Sequence, residues 1–571
     1  MLRNKAKRFI SLGLILVLTL AVLAGCNGAT TGSTTAAGTK SSTVSATTLA
    51  GTTASTASSD RYGKYDKEVK VTLLQTDPIA GSTEVAYDPS NPDRASANKN
   101  RWISSYKQYL NIAVERIIAE DGTALNAKIN TAMASGDLPD IMIVGKNMFY
   151  TLFENGTLAD ISNAYKTYSS TNGKMVKKVV ESASDDSRYS GTIDGKWLGL
   201  PFTTDFYNSS DVLWVRQDWL DKVGLKVPTT IDDMVKAAKA FKDAKLGGEK
   251  TLGLGLTGVS PDIVAAYGVV PNTWQKQTDG KYAYTNTLDG MKKGLLELQK
   301  IYKDGLIKSD FAVTNILDKE IANSIVGMYY APAWNSVTSI KANLTNDPSA
   351  KWVCTPIPSL DGKAIAQSTN ADVSTFLVVN KKCKNPEALF KLLEFELHMY
   401  YEPTDKEAVD YFQNEDGYLM WNLRPFRNYG MTSQDLYRTE ITKKEMAAGK
   451  KTSKEVDPII SVFYDKMMAG KDWNYKRELV YEWGLYYVFC VGYPMVVEKR
   501  DANLLVGGYN GPITNNIQLY QKTINETLNS AALKVVMGAD ISVYDDAIKA
   551  WYASGGQAIT DDVNAYYKNM K

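Results

Sequence analysis

Side chains that could support covalent or metal chemistry are scarce in this sequence. His398 is the single histidine, so a zinc site built from several histidines is impossible. Neither the nucleophile pattern G-x-S-x-G nor the phosphate-binding pattern G-x-x-x-x-G-K-[ST] occurs. The run from Gly253 to Gly258 matches G-x-G-x-x-G, but its glycines occupy a predicted strand and Pro261 follows at once, which argues against a dinucleotide site. The sequence therefore predicts no catalytic residue, no metal site and no cofactor.

Aromatic rings and planar polar groups, by contrast, are frequent in predicted loops and at predicted strand ends. They suit a ligand with hydroxyl groups at its rim and an apolar C–H face, because rings stack on the face while carboxylates and amides bond the hydroxyls. Trp334 is the strongest candidate, since it lies in a loop directly after an apolar strand. The full set is Trp334, Trp274, Asp77, Asn147, Asp205, Tyr207, Trp421, Trp483 and Tyr509. Turn formation by the Asp and Asn residues and core packing by the tryptophans are the alternatives.

The elements that would position these residues begin with a β/α pattern. Alternating apolar residues predict strands over 67–76 and 111–118, and an apolar run predicts a third strand over 141–144. Helical periods over 98–110 and 123–134 separate these strands. Strand, helix, strand, helix, strand in this order predicts a parallel sheet with helices on its faces. Ligands of such sheets bind beyond the carboxyl ends of the strands.

Residues 195–225 are predicted to organise the rest of the chain. The residue before Pro201 favours extended backbone, a polar stretch over 203–211 follows, and Val212 to Val215 is a short β-favouring run. We interpret 203–211 as the first crossing between two lobes that hold a ligand between them. An ordinary loop inside one domain is the alternative, because loops of this length are common.

The first 60 residues predict a leader and a tether rather than a folded domain. Positive charges, an apolar run over 9–22 and the closing sequence Leu23-Ala24-Gly25-Cys26 make residues 1–26 typical of a secretory signal. The closing sequence resembles a bacterial lipobox, which implies lipidation of Cys26; a plain cleaved signal is the alternative. Residues 27–60 are almost wholly Thr, Ser, Ala and Gly, which predicts a disordered tether.

Composition limits the class of the remaining chain. Residues 61–571 are too many for one compact core. The formal net charge of +2 argues against a nucleic-acid binder, which would show a basic face. After Cys26 the cysteines are Cys354, Cys383 and Cys490, an odd number that excludes a full disulfide framework but allows one pair.

Several motifs, taken in chain order, resemble those of one known family. They are Gly136-Asp137-Leu138-Pro139-Asp140-Ile141, Leu200-Pro201, Asp218-Trp219-Leu220, Lys226 to Thr230, Val326-Gly327-Met328 through Trp334, Asn385-Pro386-Glu387-Ala388 and Gly555 to Asn564. Behind the lipobox-like segment, they resemble the extracellular solute-binding lipoproteins of family 1, the sugar receptors of ABC importers. Trp334 matches the tryptophan that often stacks on sugar in this family. Val326-Gly327 departs from the usual small-residue run, and the segment from Glu402 to Arg500 is longer than in compact members.

The resemblance implies a fold, a function and partners. The fold would be α/β, a two-lobed periplasmic-binding-protein-like fold of type II whose lobes are joined by several crossings. Lobe one would comprise 61–206 with 377–507, lobe two 207–376 with 508–571, and further crossings would lie near 375–379 and 507–516. The protein would not be an enzyme. It would bind a sugar or oligosaccharide at the extracellular face of the cell membrane, held there by its lipid, and deliver it to ABC transporter permease subunits.

Three alternatives stay open at this point. A surface-anchored glycan-degrading enzyme would need two carboxylates, one with a raised pKa, and the chain has many Asp and Glu residues. A receptor of the same fold could bind peptides instead of sugars. Asp88, Asn91 and Asp93 could contact a calcium ion, although the prolines between them interrupt any loop signature.

Overall fold

The computed structural model describes residues 61–79, 86–203, 210–314, 317–363, 368–370, 373–414, 418–432, 434–471, 477–503 and 505–569. These residues belong to one compact unit, Ala57–Lys571. The strands are β1 Val69–Thr76, β2 Arg94–Ser96, β3 Lys99–Asn100, β4 Ile112–Ala119, β5 Ile141–Gly145, β6 Thr192–Ile193, β7 Lys196–Trp197, β8 Leu200–Pro201, β9 Asp211–Arg216, β10 Trp274–Lys276, β11 Tyr282–Tyr284, β12 Met328–Pro332, β13 Trp352–Thr355, β14 Ser368–Asn370, β15 Thr375–Val379 and β16 Leu505–Gly507.

The α-helices are α1 Arg101–Ser105, α2 Gly122–Ser135, α3 Lys146–Glu154, α4 Ser162–Thr171, α5 Lys174–Glu181, α6 Asp185–Arg188, α7 Gln217–Val223, α8 Ile231–Asp243, α9 Pro261–Ala265, α10 Asp289–Lys303, α11 Asp318–Ala322, α12 Ser339–Asn346, α13 Ala388–Tyr401, α14 Asp405–Glu407, α15 Gln434–Ala447, α16 Pro458–Lys471, α17 Val480–Tyr486, α18 Tyr493–Asn503, α19 Asn515–Val536, α20 Ser542–Trp551 and α21 Gln557–Asn569. Short segments of 3-10 or π geometry lie at Tyr106–Leu110, Gly248–Lys250, Thr285–Thr287, Ala333–Val337, Ala408–Phe412, Met420–Leu423, Ser453–Glu455, Arg477–Leu479, Tyr487–Gly492 and Tyr552–Gly556.

The first sheet has five strands in the order β4-β1-β5-β15-β8. β1 pairs in parallel with β4 along its whole length and with β5 at Leu73 and Leu74. β15 runs antiparallel to both β5 and β8. The predicted order of strand, helix, strand, helix, strand and its parallel pairing are therefore confirmed. Because β4, β1 and β5 are parallel, their carboxyl ends meet at the same edge of the sheet.

Both faces of the first sheet are covered. Leu73 and Leu377 belong to a large buried cluster, whereas Leu74 and Val378 belong to a separate one. Successive side chains of a strand point to opposite faces, so the two clusters lie on the two sides of the sheet. Burial on both sides explains why β5 and β15, in the middle of the sheet, are nearly continuous apolar runs in the sequence.

The second sheet has three antiparallel strands in the order β12-β9-β13. Its central strand β9 is also buried on both faces. Val212 and Trp214 join the large cluster of the first sheet, whereas Leu213 and Val215 join a third cluster that includes residues of α8, α10 and α19. The chain passes from β8 in the first sheet to β9 in the second over residues 202–210.

Described residues of the long segment from 402 to 500 share a core with both sheets. Phe412, Tyr464 and Trp483 from this segment share the large cluster with Leu377 of the first sheet and Trp214 of the second. This segment therefore contributes to a core that both sheets share. The lobe bounds that the sequence analysis assigned remain a prediction.

The glycine pattern at 253–258 is explained by close packing. A Cβ atom at Gly253 would lie 2.1 Å from the backbone oxygen of Ala238 in α8. Gly255 pairs with Tyr329 of β12 in an isolated bridge. Glycine is thus required at 253 by the approach of a helix backbone, and the pattern needs no nucleotide to account for it.

Two further observations concern the cysteines and the membrane. Cys354, Cys383 and Cys490 are all free thiols. Within the described ranges, each helix is too short or too polar to cross a bilayer.

Arg216, the last residue of β9, is a buried ionic centre of the second sheet. Its guanidinium donates to the two carboxylate oxygens of Asp218 at 2.8 and 2.7 Å and to the Ser324 hydroxyl at 3.0 Å. Substitution by Met leaves the Asp218 carboxylate without its buried partner. We expect Arg216→Met to lower the free energy of unfolding by about 3–5 kcal/mol, measured by chemical denaturation.

Lys245→Met is the matched control for this prediction. Lys245 pairs with Glu249 at 2.7 Å, but both side chains are exposed to solvent. Exposed pairs contribute little to stability, so the denaturation midpoint should stay at the wild-type value. Equal midpoints for Arg216→Met and the wild type would contradict the assignment.

Candidate functional site

A cleft of about 610 Å³ lies beside the carboxyl end of β5. α3 and α19 form its walls, and the residues that lead into β10 and β15 form its base. The lining residues are Lys146, Asn147, Tyr150, Thr151, Glu154, Asn272, Thr273, Trp274, Val373, Ser374, Tyr509, Ile513, Ile517, Gln518, Gln521, Lys522 and Asn525. The cleft thus lies where the sheet topology predicts a ligand, beyond the end of a parallel strand.

The two wall helices present equivalent faces to the cleft. α3 contributes Lys146, Asn147, Tyr150, Thr151 and Glu154, and α19 contributes Ile517, Gln518, Gln521, Lys522 and Asn525. Both sets have the spacing i, i+1, i+4, i+5, i+8, which is one face of an α-helix. At a rise of ~1.5 Å per residue each face is about 12 Å long, so the cleft suits an elongated ligand.

The base of the cleft is aromatic. Trp274 is 4% exposed, Tyr509 is 7% exposed and Tyr150 is 9% exposed. The Trp274 ring packs against Tyr284 and Trp551 at centroid distances of 5.6 and 6.4 Å. These rings are held by the protein core, so their positions do not depend on a ligand.

Residues 508–510 connect β10 to the chain that enters the first sheet. The Gly508 N–H donates to the Trp274 carbonyl at 2.8 Å. The Asn510 side-chain oxygen accepts the N–H of Val373, just before β15, at 2.7 Å. A single extended segment therefore fixes the residue that opens β10 relative to the chain that enters the first sheet.

Lys146 brings positive charge to the base. It is half-buried as the first residue of α3, and its N–H donates to the Ser374 carbonyl at 2.8 Å. Its ammonium donates to the Tyr509 carbonyl at 2.9 Å and lies 5.1 Å from the centre of the Tyr509 ring. The other charged residues of the lining, Glu154 and Lys522, are exposed at the rim.

Tyr150 and Trp274 bring hydrogen-bond donors to the cleft. Among the residues that the structure describes, neither the Tyr150 hydroxyl nor the Trp274 indole N–H has a hydrogen-bond partner. Burial raises the pKa of Tyr150, so its hydroxyl remains protonated at neutral pH. Neither donor atom is sealed from solvent, so a ligand oxygen in the cleft can accept from either of them.

The structure brings three of the predicted ligand-binding residues together. Asn147, Trp274 and Tyr509 line the same cleft, on α3, at the start of β10 and in the segment after β16. Trp274 differs from the prediction in its setting, since it begins a strand rather than lying in a loop.

The other tryptophans lie elsewhere. Trp334 is 42% exposed in the 3-10 turn after β12, and it does not line this cleft. Trp421 is half-buried with the Arg427 guanidinium 5.2 Å from its ring centre. Trp483 is 6% exposed and packs against Tyr487 at a centroid distance of 4.4 Å, as a core residue does. Ligand contacts for these three remain predictions.

Asp77 forms a local turn after β1. Its carboxylate accepts the N–H of Ile79 at 3.1 Å and the hydroxyl of Tyr87 at 3.0 Å. This is the alternative that the sequence analysis left open for Asp77. Asp205, Tyr207 and Cys26 lie outside the described residues, and their roles remain predictions.

Most of the polar residues in the lining were not among the predicted site residues. Lys146 and Tyr150 lie one residue before and three residues after Asn147, so the helix that follows β5 was the available signal. On α19, Gln518, Gln521 and Asn525 recur at helical spacing. A polar face on a helix is usually an ordinary solvent-exposed surface, so the sequence alone does not mark α19 as part of a binding site. Its position across the cleft from α3 does.

A pair of carboxyl groups lies outside this cleft. Asp211, the first residue of β9, hydrogen-bonds with Asp262 in the first turn of α9, and burial raises the pKa of both. Two carboxyls in direct contact share a proton because like charges at this distance cannot both ionise.

The residues that suggested a calcium ion are engaged in ion pairs. Asp88 pairs with Arg94 at 2.9 Å, and Asp93 pairs with Arg101 at 2.5 Å. Asn91 accepts the N–H of Asp93 at 3.0 Å. No group of three or more His, Cys, Asp or Glu side chains within the described part of the chain is arranged to hold a metal ion.

The sequence is similar to those of bacterial extracellular proteins. The family profile described as "Bacterial extracellular solute-binding protein" matches residues 102–397. Lipoprotein LipO of Bacillus subtilis (strain 168) is 23% identical over 467 residues, which cover 79% of this chain and 85% of LipO. The polygalacturonan/rhamnogalacturonan-binding protein YtcQ of the same strain is 21% identical over 493 residues, covering 83% of this chain and 89% of YtcQ.

Solved structures share the fold. The S. pneumoniae ABC-transporter substrate-binding protein FusA in complex with kestose matches with a TM-score of 0.57 at 15% identity, covering 88% of this chain and 99% of FusA. Alginate-binding protein AlgQ2 without calcium ion matches with a TM-score of 0.54 at 14% identity, over 88% of this chain and 99% of AlgQ2. At such identities the likeness shows the fold alone. The predicted two-lobed α/β fold of type II is confirmed.

Trp274 and Trp334 are predicted to differ in what they contribute to folding. Trp274→Ala removes a buried ring and should lower the free energy of unfolding by about 3–5 kcal/mol. Trp334→Ala removes a half-exposed ring and should cost less than about 1 kcal/mol. Urea denaturation of the two variants without ligand measures both values. A larger loss for Trp334→Ala than for Trp274→Ala would reverse the assignment of core and surface.

Proposed function

The chain belongs to the family of bacterial extracellular solute-binding proteins, and from this premise we propose that it captures an oligosaccharide in the cleft between α3 and α19. It then delivers the sugar to an ABC importer. The observation that carries this proposal is the composition of the cleft, an aromatic base under a rim of amide side chains. The ligand would lie between α3, which follows a strand of the first sheet, and α19, which packs in the cluster of the second sheet.

The base and the rim match the two kinds of surface on a sugar ring. Trp274, Tyr150 and Tyr509 are largely buried and offer a small aromatic surface to an apolar C–H face. The lining also contains the amides Asn147, Asn272, Gln518, Gln521 and Asn525. The oxygens of Asn272 and Asn525 already accept from Asn286 and Trp551, and the amide groups still provide donors for sugar hydroxyls.

The named relatives support a carbohydrate ligand. YtcQ is named for binding polygalacturonan and rhamnogalacturonan, and FusA was crystallised with kestose. Both are similar to this chain over most of its length. The shared fold leaves the cleft side chains free to differ, so the sugar bound here is inferred from the cleft itself.

Binding is favoured over glycan cleavage. Among the described residues, the cleft lining contains one carboxylate, Glu154, whereas glycoside hydrolysis uses two that flank the scissile bond. Asp211 and Asp262 are hydrogen-bonded to each other, which leaves no room for a sugar between them. Members of this family bind solutes rather than transform them.

The N-terminal segment extends the proposal to the cell surface. Residues 1–26 direct export, Cys26 carries the lipid, and residues 27–60 tether the folded body at the extracellular face of the membrane. LipO, a relative of similar length, is named as a lipoprotein. Permease subunits of an ABC transporter are the partners that receive the sugar.

A thermal-shift screen tests the ligand class. We expect neutral or acidic oligosaccharides to raise the melting temperature, because a ligand at 100 times its Kd adds about 2.7 kcal/mol to stability. Gln521→Ala should then weaken the best sugar by about 2- to 10-fold in calorimetric titration, the loss expected for one hydrogen bond. Thr523→Ala, an exposed residue outside the lining of the cleft, is the control. Shifts with peptides alone would favour the peptide receptor.

Cys26→Ser tests the anchor. Stable membrane attachment needs more than one acyl chain, which a lipidated N-terminal cysteine supplies. We expect the variant to appear in the medium, or to retain its signal, when cell fractions are analysed by immunoblot and mass spectrometry. A variant that has lost its signal and still fractionates with membranes would place the anchor elsewhere.

A further inference from the structure

We propose that the cleft selects oligosaccharides that carry carboxylate groups, such as uronic acids, and that Lys146 and Tyr150 make this selection. The inference rests on the proposed function, since it names the sugar class for the same cleft. The selection takes place at the base of the cleft. Burial limits the access of water there, so the charge of Lys146 is screened less and a hydrogen bond to the ligand is harder to replace.

The base of the cleft is rich in donors. Lys146 provides an ammonium group, Trp274 an indole N–H and Tyr150 a hydroxyl that burial keeps protonated. Tyr150 and Trp274 are both more than nine-tenths buried, and neither donor has an acceptor among the described residues. A carboxylate is the sugar substituent that best matches several donors, because both of its oxygens only accept.

The carboxylate of the lining is placed where it opposes an anion least. Glu154 is exposed at the last residue of α3, about 12 Å along the helix from Lys146 at a rise of ~1.5 Å per residue. At that distance and exposure, salt largely screens its repulsion of a ligand carboxylate at the base. Lys522, also at the rim, adds a second positive charge.

Neutral sugars fit this base less well. Sugar hydroxyls donate as well as accept, so sites for them need side-chain acceptors close to the rings. In this cleft the amides Asn147, Asn272 and Gln518 are exposed at the rim, whereas Gln521 and Asn525 are half-buried on α19. The side-chain oxygen of Asn525 already accepts the Trp551 indole N–H at 2.9 Å. With amides at the rim and donors at the base, we expect sugar hydroxyls to bind at the rim and a carboxylate to bind at the base.

Two matched pairs of ligands test this selection. Trigalacturonate and trimannuronate are each compared with their methyl esters, which keep the length and shape but remove the charge. Calorimetric titration of the full mature chain should give affinities for at least one free acid about 10-fold or more above its ester. The preference should fall as salt rises, because an ion pair is screened and an ester contact is not.

The variants connect the preference to the base of the cleft. Lys146→Gln should weaken the free acid by about 10- to 100-fold, the range for a charge-assisted hydrogen bond, and change the ester much less. Tyr150→Phe should weaken the acid by a smaller factor while leaving the ligand-free melting temperature unchanged. Lys146→Arg, which keeps the charge, should restore most of the preference.

The outcomes separate the two proposals. Equal affinities for acid and ester, or binding of neutral sugars alone, would overturn carboxylate selection and leave sugar capture standing. If both Lys146→Gln and Tyr150→Phe keep the full preference for the acid, carboxylate selection by these two residues is also overturned, since other residues must then recognise the charge. No binding of any acidic or neutral oligosaccharide would overturn both.

Discussion

The position of Asn510 is the constraint on which the cleft depends. This side chain is 1% exposed, its oxygen accepts the Val373 N–H at 2.7 Å, and its amide donates to Asp186 of α6 at 2.9 Å. A buried amide that loses one partner bears the full desolvation cost of the group, so the arrangement is strongly preferred. Two residues earlier, Gly508 bonds to Trp274. The base of the cleft is therefore assembled by hydrogen bonds between segments more than a hundred residues apart in sequence.

Apolar packing also joins the two sheets. Residues of the segment from 402 to 500 contribute to one large cluster that contains Leu377 of the first sheet and Trp214 of the second. Separation of the sheets there would expose apolar surface at about 25 cal/mol per Å², whereas the cleft is lined largely by groups that water can solvate. None of the described residues that line the cleft belongs to this cluster, so the apolar packing that joins the two sheets is separate from the cleft.

The strands could be predicted because their signal is local. The alternation in β1 and β4 and the apolar run of β5 each follow from burial on known faces, and their parallel pairing follows from the intervening helices. Glycine at 253 could not be interpreted in the same way, since the contact that requires it is made by Ala238 in another element. A motif of glycines carries no information about which backbone approaches it.

Residues of the cleft lining could be predicted only where residue type alone suggests a ligand. Trp274 and Tyr509 were candidates because aromatic rings suit the C–H face of a sugar, and Asn147 because it follows a strand end; all three line the cleft. Trp483 met the same criterion and proved to be buried in the large cluster. Lys146 and Tyr150 were not candidates, because lysine and tyrosine are common on amphipathic helices and do not by themselves suggest a ligand. Their place at the base depends on residues 508–510, which no local pattern connects to α3.

The donors at the base also bear on how binding and closure are coupled. Tyr150 belongs to α3, which follows a strand of the first sheet, whereas Trp274 packs in the cluster of the second sheet. A ligand can shift the equilibrium between two arrangements only by its different affinity for them. A carboxylate has two oxygens and can accept from both sides at once, but only when the two sides are close. A ligand group that satisfies one donor alone would bind the open and closed arrangements equally and shift nothing. The same chemistry that selects the ligand would therefore also make its capture depend on closure.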